Sequence, residues 1–247
     1  MNDTPQLKTY DMGDGIVAFS TTRHGGVSTG TSYASFNINP FCGDDPAHVA
    51  ANRELLCKEL GIDSRHLILP HQTHGVDTRI ISDEFCALPD NVRQMVLEGV
   101  DAVMTNVPGV CVGVSTADCI PVLLHDPKHR AVCAVHAGWR GTVGRIAAKT
   151  VERMREEFGC EPRDVIVGIG PSIGPCCFEV GEEVVEAARE GLGDLTGLIE
   201  SGKQAGKYLL NLWEANRRQL RQVGVEDIRI EVAGICTVCH RGRFFSY

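Results

Sequence analysis

The stretch at residues 115–141, STADCIPVLLHDPKHRAVCAVHAGWRG, constrains the fold more than any other part of the chain. Two apolar runs, residues 120–124 and 131–135, each have the length of a strand. Asp126-Pro127-Lys128-His129 between them is turn chemistry, so the pair reads as a buried antiparallel hairpin. Such a hairpin sets its two outer ends side by side. Asp118 and Cys119 precede the first strand and His136 follows the second. A carboxylate, a thiol and an imidazole therefore come to one rim of the sheet. Gly138 and Gly141 bracket Trp139-Arg140, where the backbone can turn sharply or approach a ligand closely.

The flanking segments set the fold class. Residues 16–20 read as a short strand running into Thr21-Thr22-Arg23-His24-Gly25-Gly26. Asp45 and Pro46 are an N-cap and first-turn pair, Val49, Leu56 and Leu60 share a face, and Gly61 closes that helix. Strands are expected at 67–69, 76–81, 100–105, 110–115, 165–169 and 227–232. Residues 83–98 read as mixed and partly helical. Val143, Ala147, Val151, Met154 and Phe158 recur at helical spacing, which predicts one amphipathic helix ending at Gly159. Residues 170–180 hold too much Gly and Pro to be regular. A helix over 182–190, a Gly-rich loop to Gly206 and a further helix through Leu212, Ala215, Leu220 and Val223 complete the chain.

Several strands are joined by turns too short for crossover helices, which argues against a doubly wound parallel sheet. The expectation is an α+β fold, with mixed β-sheets sandwiched between flanking helices in αββα-type layers. No linker divides the 247 residues, so residues 1–247 are read as a single domain. The Gly-x-Gly-x-x-Gly pattern beginning at Gly168 fails at Ile173, and no dinucleotide fingerprint is claimed.

Composition removes some function classes. A net charge of -8 argues against a general binder of nucleic acid or anionic membrane, which needs a basic face. The apolar run over 107–124 is interrupted by Ser115, Thr116 and Asp118, and a buried strand pair explains it better than a membrane span. MNDTPQLKTYDMGDG carries no apolar signal region, so the expected location is cytoplasmic. Eleven cysteines in such a setting read as reduced thiols rather than a disulfide framework.

The candidate chemistry is a His from His71-Gln72-Thr73-His74 together with Cys119 and His136. Two imidazoles and a thiolate suit Zn²⁺, and three protein ligands leave a fourth position open. The same residues also fit a Cys119 nucleophile activated by His136, or a buried cysteine beside core histidines. Spacing leaves all three open. Arg23 beside Gly25-Gly26 could hold an anion, but alone that signal is weak and reads first as a plain surface turn. Cys236-x-x-Cys239 has spacing suited to half of a second, structural zinc site, for which Cys176 and Cys177 could supply the partner pair; reduced core thiols are the first reading.

Six motifs, in order along nearly the whole chain, carry a resemblance. They are Thr21-Thr22-Arg23-His24-Gly25-Gly26-Val27-Ser28, Gln72-Thr73-His74-Gly75, Ala117-Asp118-Cys119-Ile120-Pro121-Val122-Leu123-Leu124, His136-Ala137-Gly138-Trp139-Arg140-Gly141-Thr142, the run at 170–180 and Phe244-Phe245-Ser246-Tyr247. Together they resemble the bacterial multicopper polyphenol oxidoreductase, or laccase-like, family, also described as a purine nucleoside phosphorylase and peptidoglycan editing family. The resemblance implies His74, Cys119 and His136 as metal ligands and catalytic residues, with His71 a neighbour. It implies the sandwich fold, with phosphorolysis of adenosine, inosine, guanosine and methylthioadenosine, and deamination of adenosine. The expected partners are a small-molecule purine nucleoside and phosphate, with neither nucleic acid nor membrane. Motif position then nominates Asp118 as a ligand-orienting or proton-shuttling group, or equally a plain structural carboxylate, with Arg23 and Arg140 for phosphate and Asn37 for a ribose hydroxyl. Zn²⁺ is the expected metal, with copper the lesser candidate. The alternatives are amide hydrolysis of a serine-containing peptidoglycan precursor, a copper-dependent polyphenol oxidase and a non-enzymatic metal-binding interaction protein. A laccase needs several copper centres built from many histidines, and this chain has nine in all. Family members continue past the Phe-Phe-Ser-Tyr motif with arginines and a further strand, whereas this sequence stops at Tyr247.

Overall fold

The computed structural model describes residues 4–247. In chain order, β1 (Leu7–Tyr10) and β2 (Ala18–Thr21) form an antiparallel pair. Helix α1 (Pro46–Leu60) starts where its sequence says it should. The Asp45 carboxylate accepts the Ala47 N–H, and Gly61 leaves the helix in the left-handed region at φ 65°. Next come β3 (Leu67–Ile68), β4 (Thr78–Ile80), α2 (Asp83–Ala87), α3 (Asp90–Val96), β5 (Ala102–Thr105) and β6 (Cys111–Val112). The hairpin is β7 (Ile120–Asp126) with β8 (Ala131–Ala137). Asp126 shapes its turn by accepting the N–H of Lys128 and the His129 ring.

After the hairpin the expected single helix is two. Helix α4 (Trp139–Val143) stops at Gly144, Arg145 adopts φ 63°, and α5 (Ile146–Phe158) starts afresh. Val143 therefore does not share a face with Ala147 and Val151. Strand β9 (Ile166–Ile169), β10 (Glu179–Gly181) and α6 (Glu182–Leu192) follow. The segment read as a Gly-rich loop holds two strands, β11 (Ile199–Ser201) and β12 (Lys207–Leu210). They pair with β10 in a three-stranded antiparallel sheet. Helix α7 (Leu212–Gln222) and β13 (Ile230–Val232) close the order.

The central sheet runs β13-β9-β7-β8-β5-β4. Its outer pairs, β13 with β9 and β4 with β5, are parallel; the inner pairs are antiparallel. Alternation splits it into two faces. Ala102, Met104, Val122 and Val135 pack with α5, α6 and α7, while Val103 and Ala134 pack with Ile68, Ile81 and Phe85. On that second side the parallel β3–β6 pair lies between the central sheet and α1, through Leu56 and Leu67. The order is helices, sheet, small sheet, helix: the α+β sandwich expected from the sequence. Among the described residues no helix is long and apolar enough to cross a membrane.

Candidate metal centre

The hairpin register puts Ile120 opposite Ala137 and Pro121 opposite His136. Cys119 sits one residue before β7 and His136 one residue before the end of β8, so the thiol and imidazole meet at the rim. Asp118, at φ 95°, turns the chain into β7. The third element is the loop after β3. Its Gln72 side chain donates to the Ser115 carbonyl at 2.8 Å and accepts the Ser115 N–H at 2.7 Å. That double bond ties the loop to the approach of β7. His74 itself holds φ 64°.

What fixes that loop is Asp101, a fully buried carboxylate one residue before β5. It accepts the backbone N–H groups of Thr73, His74 and Gly75 at 3.2, 3.0 and 2.7 Å. It also accepts the His136 Nδ1–H at 2.7 Å. One side chain thus joins the two histidine-bearing elements and leaves the other ring nitrogen of His136 facing the cluster. The ligand atoms of His74, Cys119 and His136 all lie within 4.8 Å of one another. The two rings meet edge to face, with centroids 4.8 Å apart.

The donor set fits a thiophilic divalent ion such as zinc. The space around it fits as well. A Cβ on Gly138 would come within 3.0 Å of the His74 ring and 3.1 Å of the Cys119 sulfur. Only a glycine leaves that cradle clear. His136 is buried, Cys119 half-buried and His74 exposed, so the set is closed at its base and open on one side. It opens into a cavity of about 270 Å³, also lined by Asn39, Phe41 and His71. Asn39, Ser115 and Ala117 are shared with a larger cavity of about 1350 Å³.

Charge supports the geometry. Burial, then the neighbouring His136 and Arg140, push the His74 pKa down, which favours the neutral ligating imidazole. Burial works to raise the Asp101 carboxyl, but the bonds from His136, Gly75 and Thr73 outweigh it and hold it below the usual carboxylate range. Burial likewise opposes charge on His136, yet its bonds to Asp101 and Cys119 lift it to about 9. To ligate a metal through the ring nitrogen that faces the cluster, His136 would have to give up that proton.

The other nominated residues fall differently. Arg140, in the first turn of α4, stacks on Trp139 at 4.2 Å, and among the described residues its guanidinium has no hydrogen-bond partner. His71 donates to Glu98 at 2.8 Å and stacks on Phe41, apart from the ligand set. Three further nominated residues are held by bonds within the protein. Arg23, nominated for phosphate, lines the larger cavity but donates to the carbonyls of Ala34, Thr31 and Arg241 at 2.9, 3.2 and 2.9 Å. Asn37, nominated for a ribose hydroxyl, is buried and spends its amide on Asn39, Cys42 and Asp44. Asp118 accepts the Thr237 hydroxyl and the Tyr247 N–H, so both its oxygens anchor the C-terminal segment. Asp101 was missed by sequence reasoning; the signal available was one carboxylate heading an apolar strand.

Residues 17–247 match the model of the family described as multi-copper polyphenol oxidoreductase laccase. A purine nucleoside phosphorylase of Bacteroides thetaiotaomicron is 45% identical over 231 residues, covering 94% of this chain and 85% of that protein. The adenosine deaminase RL5, from an unknown prokaryotic organism, is 40% identical, covering 94% and 88%. The crystal structure of YlmD from Geobacillus stearothermophilus superposes with a TM-score of 0.85 at 37% identity, covering 93% of this chain and 85% of that one.

Proposed function

This chain belongs to the multi-copper polyphenol oxidoreductase laccase family, and we propose that it is a zinc-dependent purine nucleoside phosphorylase with adenosine deaminase activity. The observation that carries the reading is the open-sided cluster of His74, Cys119 and His136, with Arg140 two residues past the Gly138 that lies against it and, among the described residues, without a hydrogen-bond partner for its guanidinium. It stands in a chain whose relatives are named for those two activities.

Zinc held by these three side chains supplies Lewis acidity and makes water nucleophilic near neutral pH. The protein does the rest. Asp101 keeps His136 in one tautomer and one orientation. The Thr73–Gly75 backbone, pinned to the same carboxylate, fixes His74. Arg140 offers a forked cation to phosphate, which is what separates phosphorolysis from hydrolysis. Its charge is close enough to His74 to depress that imidazole. The adjoining cavity has room for a purine and a ribose. A copper oxidase is less well supported, because this cluster gathers only two histidines and one cysteine.

Inosine with phosphate should yield hypoxanthine and ribose-1-phosphate, and adenosine should yield inosine. Alanine at His74, Cys119 or His136 should abolish both conversions. Arg140→Ala should raise the KM for phosphate at least tenfold and spare deamination. If the zinc-loaded protein turns over no nucleoside but cleaves the amide of a serine-containing peptidoglycan precursor, the editing activity replaces this one. Oxygen consumption with a phenol would support the oxidase instead.

A further inference from the structure

Four thiols outside that site come together from distant parts of the chain. Cys176 and Cys177 lie in the irregular segment between β9 and β10; Cys236 and Cys239 follow β13. Their sulfurs all lie within 4.8 Å of one another, and none forms a disulfide. Cys239 stands 3.8 Å from Cys176 and 3.6 Å from Cys177. A tetrahedron of sulfurs around zinc at about 2.3 Å has edges of about 3.8 Å. Disulfide sulfurs would stand at about 2.05 Å.

Core packing accounts for at most one of these thiols, the buried Cys236. Cys176 and Cys239 are exposed, and none of the four belongs to a hydrophobic cluster. The backbone is shaped around them instead. The Gly174 N–H donates to the Cys236 sulfur at 3.3 Å, the kind of bond that stabilises a thiolate. Ser172 and Cys236 form a parallel bridge, and Thr237 N–H donates to the Ser172 carbonyl at 3.1 Å. A Cβ on Gly174 would come within 3.1 Å of the Cys236 Cβ and 2.9 Å of the Trp213 ring. The approach of the two segments therefore requires glycine there. Cys236-x-x-Cys239 is a tight turn, with the His240 N–H bonded to the Cys236 carbonyl at 3.1 Å.

We propose that Cys176, Cys177, Cys236 and Cys239 form a second metal centre, a closed tetrathiolate site for a structural zinc ion. Four protein ligands leave no open position, which makes it structural rather than catalytic. Its place gives it a task. The segment it grips continues through Thr237, which bonds Asp118 next to Cys119, and through Arg241 and Phe245, which line the larger cavity. The ion staples that cavity wall to the body of the protein.

Metal analysis of the purified 247-residue chain tests this. The expected result is two equivalents of zinc. Cys239→Ser should retain one equivalent and His74→Ala should retain the other, with cobalt reconstitution giving intense tetrathiolate absorption in His74→Ala and losing it in Cys239→Ser. Should Cys239→Ser fail to fold, Cys176→Ser, at the other exposed position, serves the same purpose. A single equivalent that disappears in His74→Ala overturns the proposal. So does a thiol count, taken in denaturant, showing two of these four cysteines oxidised to a disulfide.

Discussion

Asp101 touches both histidine-bearing elements and no solvent, so its removal separates the geometry of the cluster from its ligands. Asp101→Asn keeps the shape and one acceptor oxygen but gives up the charge that His136 and three N–H groups share. Zinc affinity, measured by competition with a chromophoric chelator, should fall about 10–100-fold while the fold is retained. An unchanged affinity would mean that His136 is oriented by packing alone. Cys119 and His136 were legible as neighbours because each sits at a hairpin end, whereas the choice of His74 over His71 came from its motif and not from spacing. Asp101 was not legible, since a lone carboxylate heading Ala102-Val103-Met104 has no partner at a telling spacing. Arg23, Asn37 and Asp118 show the converse. A polar side chain beside a motif has the same letter whether it faces a ligand or satisfies backbone carbonyls, and only the fold decides between them.

At the level of elements, caps were readable and non-local pairing was not. The Asp45-Pro46 start and Gly61 stop of α1 are local chemistry. Strands β11 and β12 have few residues and no clear alternation; they exist because β10 arrives to pair with β12. The break between α4 and α5 depends on Arg145 at positive φ, a conformation its side chain does not announce. That break frees α4 to pack on α6, and the contact is close: a Cβ on Gly191 would lie 2.4 Å from the Val143 carbonyl oxygen. Gly191→Ala should therefore destabilise the protein by about 1–2 kcal/mol in urea unfolding, the overpacking exceeding the helix-propensity gain. A more stable variant would show that α4 can move away from α6 without cost.

Across the whole molecule, Arg23 ties the start of the chain to its end. Its donors reach Thr31, Ala34 and Arg241, and the Arg23 N–H meets the Arg243 carbonyl at 2.9 Å. Arg23→Ala should cost about 2–3 kcal/mol, a fall in Tm of about 5–10 °C by calorimetry. An unchanged Tm with weakened use of phosphate would return Arg23 to the role its motif suggested. The layered architecture was legible from the density of strands and the short turns between them, but the closure of the C-terminal segment on the 21–37 loop was not, because it rests on backbone carbonyls that any sequence possesses. The hairpin register has a last consequence, in chain entropy. Cys119 and His136 are 17 residues apart and converge by closing β7 on β8 alone, whereas His74 lies a further 45 residues from Cys119. Loop closure at the longer separation costs about 0.9 kcal/mol more. His74 joins the other two only when its loop docks on Asp101 beside β5, so a chain that has formed its hairpin but not yet its sheet edge already carries a two-armed grip of thiol and imidazole.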